Sequence, residues 1–521
     1  MTVVQPSEIE LVDVDDFRTR VLPAYAAGRA SQQLPADCDL ARSILPPGTG
    51  EYRDFSHLAP ELPVFIPDRC VGCMECVNAC PDTAILAKAL PEAASDEALS
   101  TLDPDIAAEQ RANWVATRKY FDVPSAKGHP GALFGIFVDA SKCKGCAECV
   151  EVCGAHDALK MVQKTDKVLE QARRGFDVYR ATPDTPAAYI NEKSLGDLML
   201  AERSLLYAGG AGSCMGCGEA TAIRMMLSAT GFQYGRENIA IVNSTGCSSV
   251  YASTYPYNPY RVSWTNSLFE NAPAVAMGVR VRWDQQGWND KRLWVIGGDG
   301  AMVDIGFGSL SRMLMSGLDI KVLVLDTQVY SNTGGQASTS SFWGQDSKMA
   351  SIGRAQTGKT ERRKDLGVVA AMHPNVFVAQ TITGDLGHFY RTIMAANEFP
   401  GPAVVTVYTT CQPEHGVGDN MSSHQARLAR DSRAFPVFVH DPRQGELMRE
   451  RISLRGNPSL KDDWTVNPKT GEPVDFVAFA RTEGRFARQF DDDGNPSESL
   501  LRAQEDRLAH WHLLQELAGL R

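Results

Sequence analysis

The sequence predicts an α/β protein, in which a parallel β-sheet covered by helices on both faces is joined to a smaller α+β domain held together by metal. Two observations carry this. Beyond residue 200 the chain is punctuated by the apolar runs "IAIVNSTG", "LWVIGGDG", "IKVLVLDT" and "AVVTVYTT", which end in glycine or polar clusters and alternate with amphipathic stretches such as "GSLSRMLMSG". Strands apolar on both faces and separated by helices are those of a parallel sheet buried on each side. Before residue 200 the chain instead gathers cysteines into two tight groups. With no export signal in view, such thiols read as metal ligands before disulfides, and the expected location is the cytoplasm.

At 521 residues the chain is too long for one core and divides into two to four domains. A net charge of -11 argues against nonspecific binding to nucleic acid or anionic membranes, which needs a basic surplus. No uncharged apolar run reaches membrane-spanning length.

In chain order, residues 1–60 form an N-terminal extension without a recognisable pattern. Residues 70 to 81 read "CVGCMECVNACP", placing Cys70, Cys73, Cys76 and Cys80 before Pro81; residues 143 to 153 read "CKGCAECVEVC", placing Cys143, Cys146, Cys149 and Cys153. Both have the C-x2-C-x2-C-x3-C spacing of bacterial two-cluster ferredoxins, in which the fourth cysteine of each run ligates the other run's cluster. Structural zinc knuckles want two ligand pairs and leave the fourth cysteine unexplained. A ferredoxin-like domain with two [4Fe-4S] clusters is therefore expected over 61–165, with an insertion at 86–130 and Gly154 where a proline usually follows the second run. Residues 166–200 read as a linker.

The sheet domain is expected over 201–430. It carries "GGDGA", Gly297 to Ala301, and then "DTQVYSNTGGQ", Asp326 to Gln336. A hard divalent ion bridging a diphosphate takes a carboxylate, a hydroxyl or amide oxygen and a backbone carbonyl, and leaves its other positions to phosphate and water. Asp299, Thr327 and the carbonyl of Val329 can supply these for Mg2+, while the glycines let the backbone approach the phosphates. Ligands of such sheets lie at the carboxyl ends of the strands, where these clusters fall.

The two elements resemble the thiamine diphosphate motif. With "NSTGCSS" at 243 to 249, "WTNSLFEN" at 264 to 271 and "YSNTGGQ" at 330 to 336, the chain from about residue 60 to about 465 resembles the pyruvate:ferredoxin oxidoreductases, of the 2-oxo acid:ferredoxin oxidoreductase family. The resemblance implies thiamine contacts at Glu219, Cys247, Gly298, Asp299, Gly300, Ala301, Thr327, Gln328, Val329, Tyr330, Ser331 and Asn332. Asn332 is expected to face the substrate carbons, because an amide hydrogen-bonds a developing alkoxide or carboxylate without changing its own charge. Glu219 is the second expected catalytic residue. On local sequence alone, Asn332 also reads as a turn-former and Glu219 as a helix N-terminal charge.

The resemblance further implies a third [4Fe-4S] cluster beside the thiazolium, held by Cys214 and Cys217 of "SCMGCGEAT" with Cys247 and Cys411. Without it, Cys247 and Cys411 would be unremarkable core cysteines. Three quartets use twelve of the thirteen cysteines and leave Cys38 as an ordinary thiol.

The activity implied is oxidative decarboxylation of a 2-oxo acid, pyruvate in the first place, to acyl-coenzyme A and carbon dioxide, with electrons leaving through the clusters to ferredoxin or flavodoxin. The same chemistry on 2-oxoglutarate, branched-chain, aryl 2-oxo acids or oxalate is the alternative, as is a non-catalytic electron-relay subunit. The pyrimidine-binding, substrate and coenzyme A domains of single-chain relatives have no counterpart before residue 60, so a partner subunit in a higher hetero-oligomer is expected to supply them.

Three further stretches invite a reading. "GRAQTGKT", 353 to 360, matches a phosphate loop to the letter, but the polar segment before it and the charged "ERRKD" after it lack the strand and helix that such a loop requires, and the basic run reads as solvated charge. Phe342 and Trp343 are expected either to shape the substrate pocket or to pack on the partner. In the C-terminal extension, 431–521, leucines at helical spacing from Ser499 predict an amphipathic helix on the core or on a partner.

Overall fold

The computed structural model describes residues 12–35, 44–351, 353 and 358–521. Cys38 and much of the "GRAQTGKT" stretch lie outside the described residues.

The cysteine-rich domain opens with β1 (Glu61–Phe65), which pairs antiparallel with β5 (Leu159–Gln163). Between them each cysteine run ends in a short helix, Glu75–Ala79 and Glu148–Cys153, and the two helices pack together. The runs share a backbone trace: Gly72 and Gly145, then Met74 and Ala147, all have left-handed φ. Met74 and Ala147 are not glycines, and holding them there costs energy that the surrounding structure must cover.

The stretch 86–130 is structured. β2 (Ile85–Pro91), β3 (Trp114–Ala116) and β4 (Ala132–Val138) form an antiparallel sheet in the order β2-β4-β3. Helix Asp166–Ala181, inside the region read as a linker, covers it, with Trp114, Phe137 and Tyr179 in edge and tilted ring contacts.

The second sheet has eight strands. β6 (Ile239–Ser244), β7 (Ser263–Ser267), β8 (Arg292–Gly298), β9 (Lys321–Asp326), β10 (Phe377–Ile382) and β11 (Ala403–Tyr408) run parallel in the order β7-β6-β8-β9-β11-β10. β12 (Phe438–His440) and β13 (Ile452–Ser453), beyond residue 430, continue the sheet antiparallel past β10. Alternation decides the two faces. Trp294 and Ile296 point toward helices Gly218–Tyr234 and Leu386–Glu398, while Leu293 and Val295 point toward helices Ala272–Gln285 and Phe307–Leu314. The predicted C-terminal helix, Glu498–Leu517, buries Trp511 and Leu514 in the second face, so it packs on the chain's own core. No helix of the described residues is long and apolar enough to cross a membrane.

Burial holds two imidazoles neutral. His388, whose Nδ1 lies 2.8 Å from Thr381 Oγ1, is pushed down to about 4, and His510 likewise to about 4 although Asp365 opposes this. An unfolded histidine titrates near 6.5. Between those values each of these histidines binds a proton in the unfolded chain that it refuses in the folded one, so its contribution to stability is full above pH ~6.5 and falls as pH drops toward 4. Over that window the stability of His388→Gln relative to wild type is therefore expected to rise as pH falls; a difference independent of pH would contradict the assignment.

Candidate functional site

Four parallel strands deliver their carboxyl ends to one edge of the large sheet. β6 leads into Thr245–Gly246–Cys247, β8 into Asp299, β9 into Thr327, and β11 into Thr409–Thr410–Cys411. Two adjoining cavities open there.

The first is lined by Glu219, Cys247, Gly298, Asp299, Gly300, Ala301, Thr327, Val329, Tyr330, Ser331 and Asn332. All the predicted thiamine contacts except Gln328 are thus together, and Thr245, Gly246, Ser248, Phe269 and Thr333, which lie within the quoted motifs but were not expected as contacts, join them. Gln328 does not face the cavity. Its φ of 56° turns the peptide, its carbonyl accepts Ser341 Oγ at 2.6 Å and Gln345 Nε2 at 2.9 Å, and its Oε1 accepts Arg485 Nη2 at 3.1 Å.

The oxygens expected to hold a divalent ion converge. Thr327 Oγ1 lies 3.2 Å from Asp299 Oδ1 and 3.0 Å from the Val329 carbonyl. Asp299 Oδ2 accepts Ser338 Oγ at 2.5 Å. Burial, and then the Asp326 carboxylate, push the Asp299 carboxyl well above the usual range. A buried carboxylate set against another is a site whose charge calls for a cation, so the donor set fits Mg2+. Gly300 is required by contact: a Cβ there would stand 2.4 Å from the Tyr330 ring, whose Oη donates to Asp304 Oδ2 at 3.0 Å.

The loop after β9 is braced from behind. Asp326 forms a buried ion pair with Arg363, the Thr327 carbonyl accepts His415 Nε2 at 2.8 Å, and Arg485 is paired with Glu483 at 2.6 Å. These contacts correct one expectation and agree with another. The basic run 361–365 is not wholly solvated, because Arg363 is buried against Asp326. Lys359, at the lysine position of the phosphate-loop match, donates to the carbonyls of Thr339 at 3.0 Å and Ser341 at 2.9 Å, and the next helix begins only at Leu366. Phe342 neither shapes the pocket nor awaits a partner. It is 1% exposed and stacks edgewise on Phe476 and Phe479, with Trp343 packed against the same cluster.

The second cavity holds all four cysteines of the long-range set: Cys214, Cys217, Cys247 and Cys411. It shares Glu219, Cys247, Ser331 and Asn332 with the first. Cys217 Sγ lies 2.9 Å from Tyr251 Oη, which donates to Glu219 Oε2 at 3.0 Å; burial pushes Glu219 up to about 7 against hydrogen bonds from Tyr251 and Cys247. Gly216, at φ 65°, admits no side chain, since a Cβ would meet the Asp419 carbonyl at 1.7 Å.

In the smaller domain, one cavity is lined by Cys70, Cys73, Cys76 and Cys153, and another by Cys80, Cys143, Cys146 and Cys149. The fourth cysteine of each run does face the other run's cavity. Backbone amides already point at sulfur, with Gly72 N 3.4 Å from Cys70 Sγ, Ala84 N 3.2 Å from Cys80 Sγ and Ala158 N 3.2 Å from Cys153 Sγ. Among the described residues no three His, Cys, Asp or Glu side chains close on a single ion. Four sulfurs set around a cavity fit a polynuclear cluster, whose iron keeps as thiolates the thiols that burial otherwise pushes up, Cys143 and Cys217 both to about 12.

Comparison with known proteins agrees with this geometry. Residues 244–407 match the thiamine pyrophosphate enzyme C-terminal TPP (thiamine diphosphate) binding domain, and residues 63–86 match the 4Fe-4S binding domain. The chain is 29% identical to a probable pyruvate-flavodoxin oxidoreductase of Escherichia coli (85% of this chain, 41% of that protein). It is 26% identical to the pyruvate-flavodoxin oxidoreductase of Rhodospirillum rubrum (97% and 45%) and 26% identical to the pyruvate:ferredoxin oxidoreductase of Moorella thermoacetica (84% and 41%). It spans under half the length of these relatives. Among solved structures, a 2-oxoglutarate:ferredoxin oxidoreductase from Magnetococcus marinus aligns with 39% of this chain and 64% of its own at 24% identity and a TM-score of 0.33. The chain thus carries matches to a thiamine pyrophosphate enzyme C-terminal domain and to a 4Fe-4S binding domain, and along most of its length it is similar to the pyruvate:ferredoxin and pyruvate:flavodoxin oxidoreductases.

Proposed function

We propose that this chain is the catalytic and electron-transfer subunit of a cytoplasmic 2-oxo acid oxidoreductase acting on pyruvate. The acid and coenzyme A give acyl-coenzyme A, carbon dioxide, a proton and two electrons, and the electrons pass through three [4Fe-4S] clusters to ferredoxin or flavodoxin. The observation that carries this reading is the shared wall, in which Glu219, Cys247, Ser331 and Asn332 border the cofactor cavity and the third cysteine quartet at once. Chemistry that releases electrons at one cofactor is served by an acceptor across a single layer of side chains.

When bound, thiamine diphosphate supplies a carbon nucleophile and an electron sink, and the clusters accept electrons singly. The chain's own part is to hold and orient. Asp299, Thr327 and the Val329 carbonyl would hold the Mg2+, and the glycines at 298 and 300 would allow close backbone approach to the diphosphate. Asn332 offers its amide to the reacting end without bringing charge. Glu219 sits in the wall as a hydrogen-bond acceptor for Tyr251, which fixes that tyrosine beside Cys217.

The reading includes a partner that brings the pyrimidine-binding and coenzyme A domains. Its support is the apolar surface beside the site: Leu268, next to Phe269, is 60% exposed, and Ile305, at the end of the turn that begins at Gly300, is 57% exposed. The names of the relatives support pyruvate as substrate.

The test is viologen reduction by the complex purified without oxygen from its host, supplied with coenzyme A, thiamine diphosphate and a panel of 2-oxo acids. Fast turnover with pyruvate is expected. Preference for another acid would move the substrate, and iron-replete protein inert toward every acid would reduce the chain to a relay.

A further inference from the structure

Helix Gly218–Tyr234 starts at Cys217, in the wall of the third quartet's cavity, and runs on to the cysteine-rich domain. About two turns in, Arg224 reaches across to the segment that carries Cys80. Its Nη1 donates to the Asn78 carbonyl at 3.1 Å and its Nε to Thr83 Oγ1 at 3.1 Å, so the guanidinium spans the residues on either side of Cys80. Thr83 is held in turn, with Oγ1 donating to the Tyr207 carbonyl at 2.7 Å and φ at 55°.

Arg224 is 1% exposed, and among the described residues its hydrogen bonds go only to these two neutral oxygens, leaving Nη2 without a partner. A buried, unpaired guanidinium is costly, and a fold keeps one only where a counter-charge stands against it. The nearest carboxylate does not fill that role. Asp82 is paired with Lys144 at 2.7 Å, both groups are buried, and together they are neutral. Lys144 is further occupied by the Ser213 carbonyl at 2.9 Å and Ser213 Oγ at 2.8 Å. The local sum is therefore one uncompensated positive charge beside the cavity of Cys80, Cys143, Cys146 and Cys149. Among the described residues no such charge stands at the other ferredoxin-type cavity, where Lys119 is paired with Asp197.

Resting on the function proposed above, we propose that Arg224 is the counter-charge of the cluster held by Cys80, Cys143, Cys146 and Cys149 and raises its reduction potential above that of the cluster held by Cys70, Cys73, Cys76 and Cys153. Reduction adds one electron and lowers the cluster's charge by one, with no bond made or broken. A fixed buried cation stabilises the product of that step more than its reactant, and low dielectric magnifies the difference. Arg224 is a positioning residue: it touches no substrate, and it biases where an electron rests after leaving the third quartet.

The experiment is a dye-mediated redox titration of the complete anaerobic complex, followed by electron paramagnetic resonance, on wild type, Arg224→Met and Arg224→Lys, each with iron counted. Arg224→Met is expected to lower one midpoint and leave the other two in place, shifting the reduced-to-oxidised ratio of that cluster about tenfold at fixed potential, or about 59 mV for one electron. Arg224→Lys, which keeps the charge, is expected to stay close to wild type. Unchanged midpoints in Arg224→Met, or equal shifts in both variants, would overturn the proposal. If Arg224→Met fails to hold its iron, Arg224→Gln takes its place under the same criteria. Wild-type protein without three clusters would instead sink the functional reading on which this one rests.

Discussion

Cys411→Ser is expected to remove about four iron atoms per chain and to abolish pyruvate-dependent dye reduction, while thiamine diphosphate still binds. The expectation follows from where the residue stands. Cys411 lines only the second cavity, whereas Cys247 lines both, so Cys411 is the ligand whose loss touches the cluster and spares the cofactor cradle. The adjacent Gln412 cannot replace the thiolate, since it is an amide committed to Thr410 Oγ1 at 3.1 Å. Iron analysis, calorimetric binding of thiamine diphosphate with Mg2+, and the viologen assay read the three parts separately. A variant that kept its iron and turned over normally would remove the third quartet from the function.

Asp299→Asn is expected to do the converse. Iron content stays at the wild-type level, but affinity for Mg2+-thiamine diphosphate falls by about a hundredfold, ~2.7 kcal/mol, and turnover is lost with it. The amide keeps the shape of the site while removing the one carboxylate of the metal set. Folding is expected to suffer little. In the absence of a cation, burial and the Asp326 carboxylate oppose ionisation of the Asp299 carboxyl, so its charge is not what holds the fold together. The apo variant should therefore unfold at nearly the wild-type temperature, within about 1 kcal/mol, and lose the gain in melting temperature that the ligand gives wild type. A large drop in apoprotein stability would mean that the carboxylate has a paired structural role instead.

The two predictions separate because the fold assembles cradle and cluster from different strands. Asp299 follows β8 and Thr327 follows β9, while Cys411 follows β11 and Cys214 and Cys217 precede a helix. How much of this could be read from the chain depended on distance. The ferredoxin-type quartets are local, and their spacing alone announced even the exchange of the fourth cysteine. The convergence of Asp299, Thr327 and the Val329 carbonyl was legible because two glycine-flanked strand ends carry them. Cys247 and Cys411 are far apart in sequence, and composition and periodicity say nothing about which strand ends meet; only the family resemblance joined them.

Where reading failed, it failed on side chains whose neighbours come from remote segments. Arg363 sits in a run of charge that looks solvated, and nothing nearby tells that Asp326 awaits it. Phe342 follows the motif loop and was expected in the pocket or against a partner, yet its neighbours Phe476, Phe479 and Phe486 lie in the last hundred residues. Gln328 lies within the motif but turns away, because its left-handed backbone depends on Arg485 and Gln345, which no local pattern signals. Short-range chemistry is written in spacing, and long-range bracing is not.

The exchanged fourth cysteines of the smaller domain have a consequence for how it is assembled and lost. Cys80 and Cys153 each end a helix begun by one run and close the cavity of the other. Neither cavity has its full ligand set until both runs are folded, so the pair behaves as a single lock with two keys. With a cluster in each, as proposed above, iron lost from one would free a cysteine at the edge of the other, and damage to either would be inherited by its twin. The chain between the runs, by contrast, is pinned at both ends by that interlock and is left at liberty to grow, as its extra sheet and helices show.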